Sequence, residues 1–209
     1  MPEHLDSAGA LARTVLALDP PDGRAPVVGV SGFGGSGKST LAAQLHQHLP
    51  GSMVVPGDEF LRSRPPTGRS QDWSSVDRDR LADQVLEPAQ RGTAQAYQVW
   101  DHDTAAPGPW VSLVGATAVI VEGLGLYVPT LVRLFDLRVW VDVDLDTATA
   151  RGMWRDEHEY GNAQADLWSG VWRPNDADFF ERYRPDRAAH VLYAPPISTR
   201  SGAPGPVSR

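Results

Sequence analysis

Residues 32–40 read Gly32-Phe33-Gly34-Gly35-Ser36-Gly37-Lys38-Ser39-Thr40, which satisfies the phosphate-cradling spacing G-x-x-x-x-G-K-[ST]. Lys38 is the only lysine in the chain; all its other cationic Lys/Arg positions are arginine. A slim ammonium on a flexible stem can follow the β- and γ-phosphates of a nucleotide, a place too narrow for a forked guanidinium. The glycines let the backbone turn its N–H groups toward phosphate oxygens, and the Ser39 hydroxyl is placed to reach Mg²⁺. Gly32, Gly34, Gly35, Ser36, Gly37, Lys38, Ser39 and Thr40 therefore form the candidate nucleotide-binding set, with ATP and Mg²⁺ as the expected ligands.

Such a loop needs a strand before it and a helix after it. Residues 25–31 read as a short buried strand, and residues 40–49 as a helix. Further short apolar runs at 53–55, 116–121, 137–143 and 190–193 predict strands. Helical spacing is expected in 5–16, 76–90, 146–158 and 176–183. Residues 63–70 form a Pro/Gly/Arg-rich loop. Strands alternating with helices predict an α/β fold, a three-layer α/β/α sandwich with a mostly parallel sheet and ligands at the C-terminal ends of its strands. Asp58 follows the second strand and Glu122 the third, so both carboxylates should project into the crevice that holds Lys38. Arg151 and Arg155 are four apart and share a helix face, where they either close over the phosphates or form a solvated, ion-paired surface with Asp144, Asp146 and Asp156.

Composition sets the outer limits. A chain of 209 residues with 41% hydrophobic content can bury one good core, and residues 1–195 are expected to form a single domain. Its N-terminal helix lies within 1–20, and a Pro/Gly/Ser-rich tail at 196–209 is expected to be mobile. No apolar run is long enough to span a membrane, and the N-terminus lacks a signal peptide's basic flank and apolar stretch, so a cytoplasmic protein is expected. With no cysteine, disulfides and thiolate metal sites are excluded, and the six histidines show no metal spacing. A net charge of −7 argues against general nucleic-acid binding. The expected partners are a nucleoside triphosphate and a small molecule carrying a hydroxyl.

Gly32–Thr40, Asp58-Glu59-Phe60, Val121-Glu122-Gly123, and Arg151 with Arg155-Asp156 follow one another in an order that resembles the uridine kinase, pantothenate kinase and phosphoribulokinase group of P-loop kinases, over residues 25–195 or so. The resemblance implies a kinase domain with a small helical lid near 144–172 that carries Arg151 and Arg155. It implies that Asp58 orients the acceptor hydroxyl, and that Ser39, Glu122 and Asp58 stand around Mg²⁺. An attacking hydroxyl needs a carboxylate within hydrogen-bond reach and positive charge around the transferring phosphoryl group, so these residue types suit the chemistry.

The same resemblance implies an acceptor pocket built from the region after Asp58 and from a Tyr-Asp segment, here Tyr97-Gln98-Val99-Trp100-Asp101-His102-Asp103. Phe60, Tyr97, Trp100, Asp101 and His102 are its candidates: the aromatic rings either stack on a flat acceptor or belong to the core. Arg62 and Arg64, with Arg69 nearby, either hold an anionic group on the acceptor or form a solvated loop. Thr104-Ala105-Ala106-Pro107 replaces the His and Arg that uridine kinases carry next, which sets this chain apart from them. Asp72-Trp73 and Asp77-Arg78-Asp79-Arg80 resemble further pieces of the group and receive no role.

The function expected is ATP-dependent transfer of the γ-phosphoryl group to a hydroxyl of a small polar acceptor, nucleoside-like or a related metabolite. The competing readings are an ATP-driven conformational machine and a nucleotide-binding protein without catalysis. A Ras-type GTPase reads its base with N-K-x-D, and a chain whose only lysine is Lys38 does not contain that motif.

Overall fold

Valine, isoleucine and leucine dominate the runs that become strands, because a strand covered on both faces has no polar side to show. The computed structural model describes residues 1–62, 67–101, 103–104 and 106–196. In it β1 (Glu3–Leu5), β2 (Val27–Ser31), β3 (Met53–Pro56), β6 (Val119–Glu122), β7 (Leu137–Val141) and β8 (Val191–Tyr193) pair into one sheet in the order β1-β8-β7-β2-β6-β3. Every neighbouring pair is parallel. A separate antiparallel hairpin, β4 (Ala96–Asp101) with β5 (Ala106–Ser112), stands apart from this sheet.

Alternation along the central strand divides the interior into two layers. Val28 and Val30 pack with Leu11 and Val15 of α1 (Ala8–Leu16) and with Leu41, Ala42 and Leu45 of α2 (Lys38–His48). Val27 joins the opposite cluster with Val55, Val119, Val121, Leu81, Val85 and Leu86. The result is an α/β protein with helices on both faces of a parallel sheet. Among the described residues no helix is long and apolar enough to cross a membrane.

The segment at 5–16 is not one helix. Leu5 belongs to β1, and Ser7 then caps α1 by accepting from Ala10 N–H at 3.3 Å. The helical stretch at 78–90 runs through α3 (Arg78–Leu81), a wide π turn at Ala82–Leu86 and α4 (Glu87–Gln90). Beyond β7 come α5 (Leu145–His158), α6 (Ala165–Leu167), a second π turn at Trp168–Trp172, α7 (Arg173–Tyr183) and α8 (Pro185–Ala188). Both π turns lie just ahead of a proline, Pro88 or Pro174. The proline lacks an N–H and its ring crowds the carbonyl four residues back, so the preceding turn widens.

Candidate active site

The chain leaves β2 at Ser31 and turns through the glycine loop into α2. Gly35 adopts φ +79, and a Cβ there would stand 2.2 Å from Ala148 O of α5, so only glycine fits this bend. The first turn of α2 follows Gly37 with no side-chain cap, which leaves its amides available to an anion. Inside the loop, the Ser36 hydroxyl is buried without a hydrogen-bond partner among the described residues. Lys38 is buried, and its Nζ donates to Phe33 O at 2.9 Å. Burial pulls the Lys38 ammonium below its ordinary pKa, against the attraction of Glu122, Asp176 and Asp58. An uncapped helix start, a buried lysine and an orphaned hydroxyl in one loop fit the phosphates of a nucleotide.

Three strand exits bring the polar groups together. Ser31 Oγ donates to Gly123 O at 3.0 Å and ties the end of β2 to the end of β6. Glu122, the last residue of β6, accepts from Ser39 Oγ at 3.1 Å. Burial raises its pKa, aided by the Asp58 charge and opposed by Lys38 and by the Ser39 hydrogen bond. Asp58 sits in the short 3₁₀ turn Gly57–Phe60 after β3. The hydroxyl of Ser39 with the carboxylates of Glu122 and Asp58 makes a hard oxygen donor set, which suits Mg²⁺. Among the described residues no group of three or more His, Asp or Glu is placed to hold a metal ion by itself.

Lys38, Ser39, Asp58 and Glu122 line one cavity of about 330 Å³. Its far wall comes from α5 to α7. Arg155 lines the cavity and donates to Asp156 Oδ1 from Nε (3.0 Å) and Nη2 (2.7 Å), while Asp156 Oδ2 accepts from Trp168 Nε1 at 2.8 Å. Arg151 is exposed and does not line the cavity, and neither does Thr40. The two arginines share a helix face but stand about one turn apart along its axis, and Gly152, between them, is covered by the Trp168 ring.

The aromatic residues that line the cavity are not those that the resemblance singled out. Phe60 is fully buried, and its ring lies 5.8 Å from that of Tyr97, itself 3% exposed. Both are core residues, and Arg80 stacks over Phe60 at 4.4 Å. Trp100 and Asp101 are half-buried on the hairpin and do not line the cavity. Glu59 fastens that hairpin by accepting from Trp100 N–H at 3.1 Å. The Arg62 side chain is 59% exposed and reaches Asp77 at 3.4 Å, while Arg69 is taken up by Asn175 and Asp178. Arg64 and His102 lie outside the described residues, as does the tail from 197 onward. The cavity is walled instead by Trp73, Trp168 and Trp172 with Leu61 and Leu124.

Asp176, on the first turn of α7, lines the same cavity and had no motif to mark it. Its carboxylate accepts from Gly34 N–H at 2.7 Å and from Trp73 Nε1 at 3.0 Å. Burial raises its pKa to about 6, although the Gly34 amide, Lys38 and the Trp73 indole all favour the charged form. The signal available was a short run of polar residues, Asn175-Asp176, opening a helix on which they are nonetheless buried.

Residues 67–183, more than half of the chain, match the model of the phosphoribulokinase / uridine kinase family. The matched stretch begins after the glycine loop and Asp58 and contains Glu122, Arg155 and Asp176. The chain is 27% identical over 169 residues to a uridine kinase of Saccharomyces cerevisiae, covering 73% of this chain and 34% of that protein. It therefore spans about a third of that relative's length. It is 26% identical over 167 residues to a nicotinamide riboside kinase of Schizosaccharomyces pombe, covering 64% of this chain and 73% of that protein. A solved structure of a possible uridine kinase from Bacillus stearothermophilus superposes with a TM-score of 0.65 at 19% identity, covering 89% of this chain and 96% of that chain.

Proposed function

The chain belongs to the phosphoribulokinase / uridine kinase family, and from that premise we propose that it transfers the γ-phosphoryl group of ATP to a hydroxyl of a small polar acceptor. The observation that carries this reading is the convergence of Lys38, Ser39, Asp58 and Glu122, from three strand exits, on one cavity. The amides at the start of α2 and the Lys38 ammonium hold the β- and γ-phosphates. Asp58 accepts a hydrogen bond from the acceptor hydroxyl and takes its proton as the new O–P bond forms and the bond to the ADP oxygen breaks. The Ser39 hydroxyl and Glu122 would hold Mg²⁺, which would supply neutralisation of charge on the phosphate oxygens. The segment near 144–172 acts as a lid that carries Arg155 toward the phosphates and excludes water, so that hydrolysis stays slow until an acceptor arrives.

The wall chemistry favours a flat, uncharged acceptor such as a nucleoside-like alcohol. Its described part offers tryptophan rings, and Arg155 is the one arginine among the described residues that line it. The test is a panel of hydroxyl acceptors with Mg·ATP, read as ADP release above the acceptor-free rate. An acceptor that stimulates release should do so roughly 10²- to 10⁴-fold less in Asp58→Asn, with nucleotide affinity nearly unchanged. Steady ATP turnover that no acceptor changes would instead favour the conformational machine.

A further inference from the structure

Asn175 and Asp176 are 1% and 4% exposed, yet they are polar residues at the start of a helix and could have been solvated there at little cost. Instead each turns its side chain to other parts of the chain. Asp176 Oδ2 accepts from Gly34 N–H of the phosphate loop at 2.7 Å, and Oδ1 accepts from the Trp73 indole at 3.0 Å. Asn175 Oδ1 accepts from Ser70 N–H at 2.8 Å and from the Arg69 guanidinium, and its Nδ2 donates to Gly68 O at 3.0 Å. One turn of α7 thus holds the phosphate loop on one side and residues 68–73 on the other.

We infer that Asp176, supported by Asn175, is a positioning residue that couples the phosphate loop to the Gly68–Trp73 segment, so that binding nucleotide also sets the wall against which the acceptor packs. The inference rests on the phosphotransfer reading for its purpose, but its geometry requires only the nucleotide site. Trp73 is 1% exposed, lines the cavity and sits at φ +54, a conformation that a tryptophan keeps only when its surroundings impose it. The carboxylate touches both loops. Moving either loop alone would leave a buried carboxylate oxygen, or a buried N–H, without its partner. The two loops therefore shift together or not at all.

Amide hydrogen exchange on the full chain, with and without Mg²⁺ and a non-hydrolysable ATP analogue, tests this without knowledge of the acceptor. In the wild type the analogue should slow exchange at residues 34–39 and also, by roughly fivefold or more, at 68–73. In Asp176→Asn the slowing at 34–39 should persist while that at 68–73 disappears. Trp73→Phe, which keeps a packed ring and removes the indole N–H, should behave the same way and guards against misfolding of the first variant. A merely structural role would speed exchange in the free variants but leave the effect of the analogue at 68–73 intact, and that result would overturn the coupling. So would slowing at 34–39 with none at 68–73 in the wild type. No slowing at 34–39 in the wild type would instead overturn the nucleotide site itself, and the coupling with it. Failure of every acceptor to stimulate ADP release, with the loop-to-loop effect present, would defeat the phosphotransfer reading alone.

Discussion

Lys38 and the carboxylates around it illustrate how side chains of ordinary chemistry are tuned by place. Burial lowers the Lys38 pKa and raises those of Glu122 and Asp176, while their mutual attraction works the other way. A cluster balanced in this manner suits the polyanion and dication of the proposed reaction. Lys38 is also bounded sterically, because its amine already reaches Phe33 O across the loop. Lys38→Arg should therefore reduce phosphoryl transfer by roughly 10²- to 10³-fold, since the forked guanidinium cannot occupy the same narrow position. Steady-state transfer rates set beside nucleotide affinity would check this; near-normal transfer would remove Lys38 from the site. The glycine loop and its lysine were legible from spacing, and Asp58 and Glu122 from their places just after strands together with the resemblance, because a local motif and a strand end need no distant partner to be recognised. Asp176 was not legible, since its partners Gly34 and Trp73 stand more than a hundred residues away.

Among the elements, α5 and the π turn at Trp168–Trp172 decide the shape of the cavity. The Trp168 ring lies so close to α5 that a Cβ on Gly152 would stand 2.2 Å from its Cη2. Trp168 is then locked by its hydrogen bond to Asp156 and meets Trp172 edge-on at 5.0 Å. Gly152→Ala should therefore cost about 1–3 kcal/mol by overpacking and push Trp168 into the cavity. Thermal unfolding should show a Tm lower by several degrees, together with weakened acceptor-stimulated ADP release; a variant as stable as wild type would show that α5 yields easily. The helical spacing around 146–158 announced α5, with Asp144 capping it through Thr147 N–H at 2.8 Å. The tryptophans beyond it carried no periodic signal, because a π turn breaks the 3.6-residue repeat on which such readings depend.

For the molecule as a whole, the two-layered interior means that buried charge is felt as stability. The folded-state pKa of Asp176 is raised from 3.8 to about 6, so its contribution is fully present below the unfolded value and is lost as pH rises through the folded one. Asp136 works in the opposite sense. Burial alone would raise it, but hydrogen bonds from Arg24 and from Val27 N–H hold it below the usual carboxylate range, so its contribution is lost on acidification. The Asp136 effect is common to wild type and Asp176→Asn and cancels in their difference. That difference, wild type minus variant in unfolding free energy, should fall by about 2 kcal/mol between pH 4 and 6. Denaturant unfolding at several pH values would measure it, and a difference that is flat across this window would place the Asp176 pKa near its unfolded value. By itself the sequence determined the alternation of strands and helices, the parallel sheet, the glycine loop and the two carboxylates at strand ends, because periodicity and local motifs are written in neighbouring residues. Only the tertiary structure decided which aromatic rings form the wall, that Tyr97 and Phe60 are core, that Arg155 but not Arg151 faces the cavity, and that a helix far along the chain holds Gly34. Each of these depends on which surfaces meet after the sheet closes its two layers, and no local spacing encodes that.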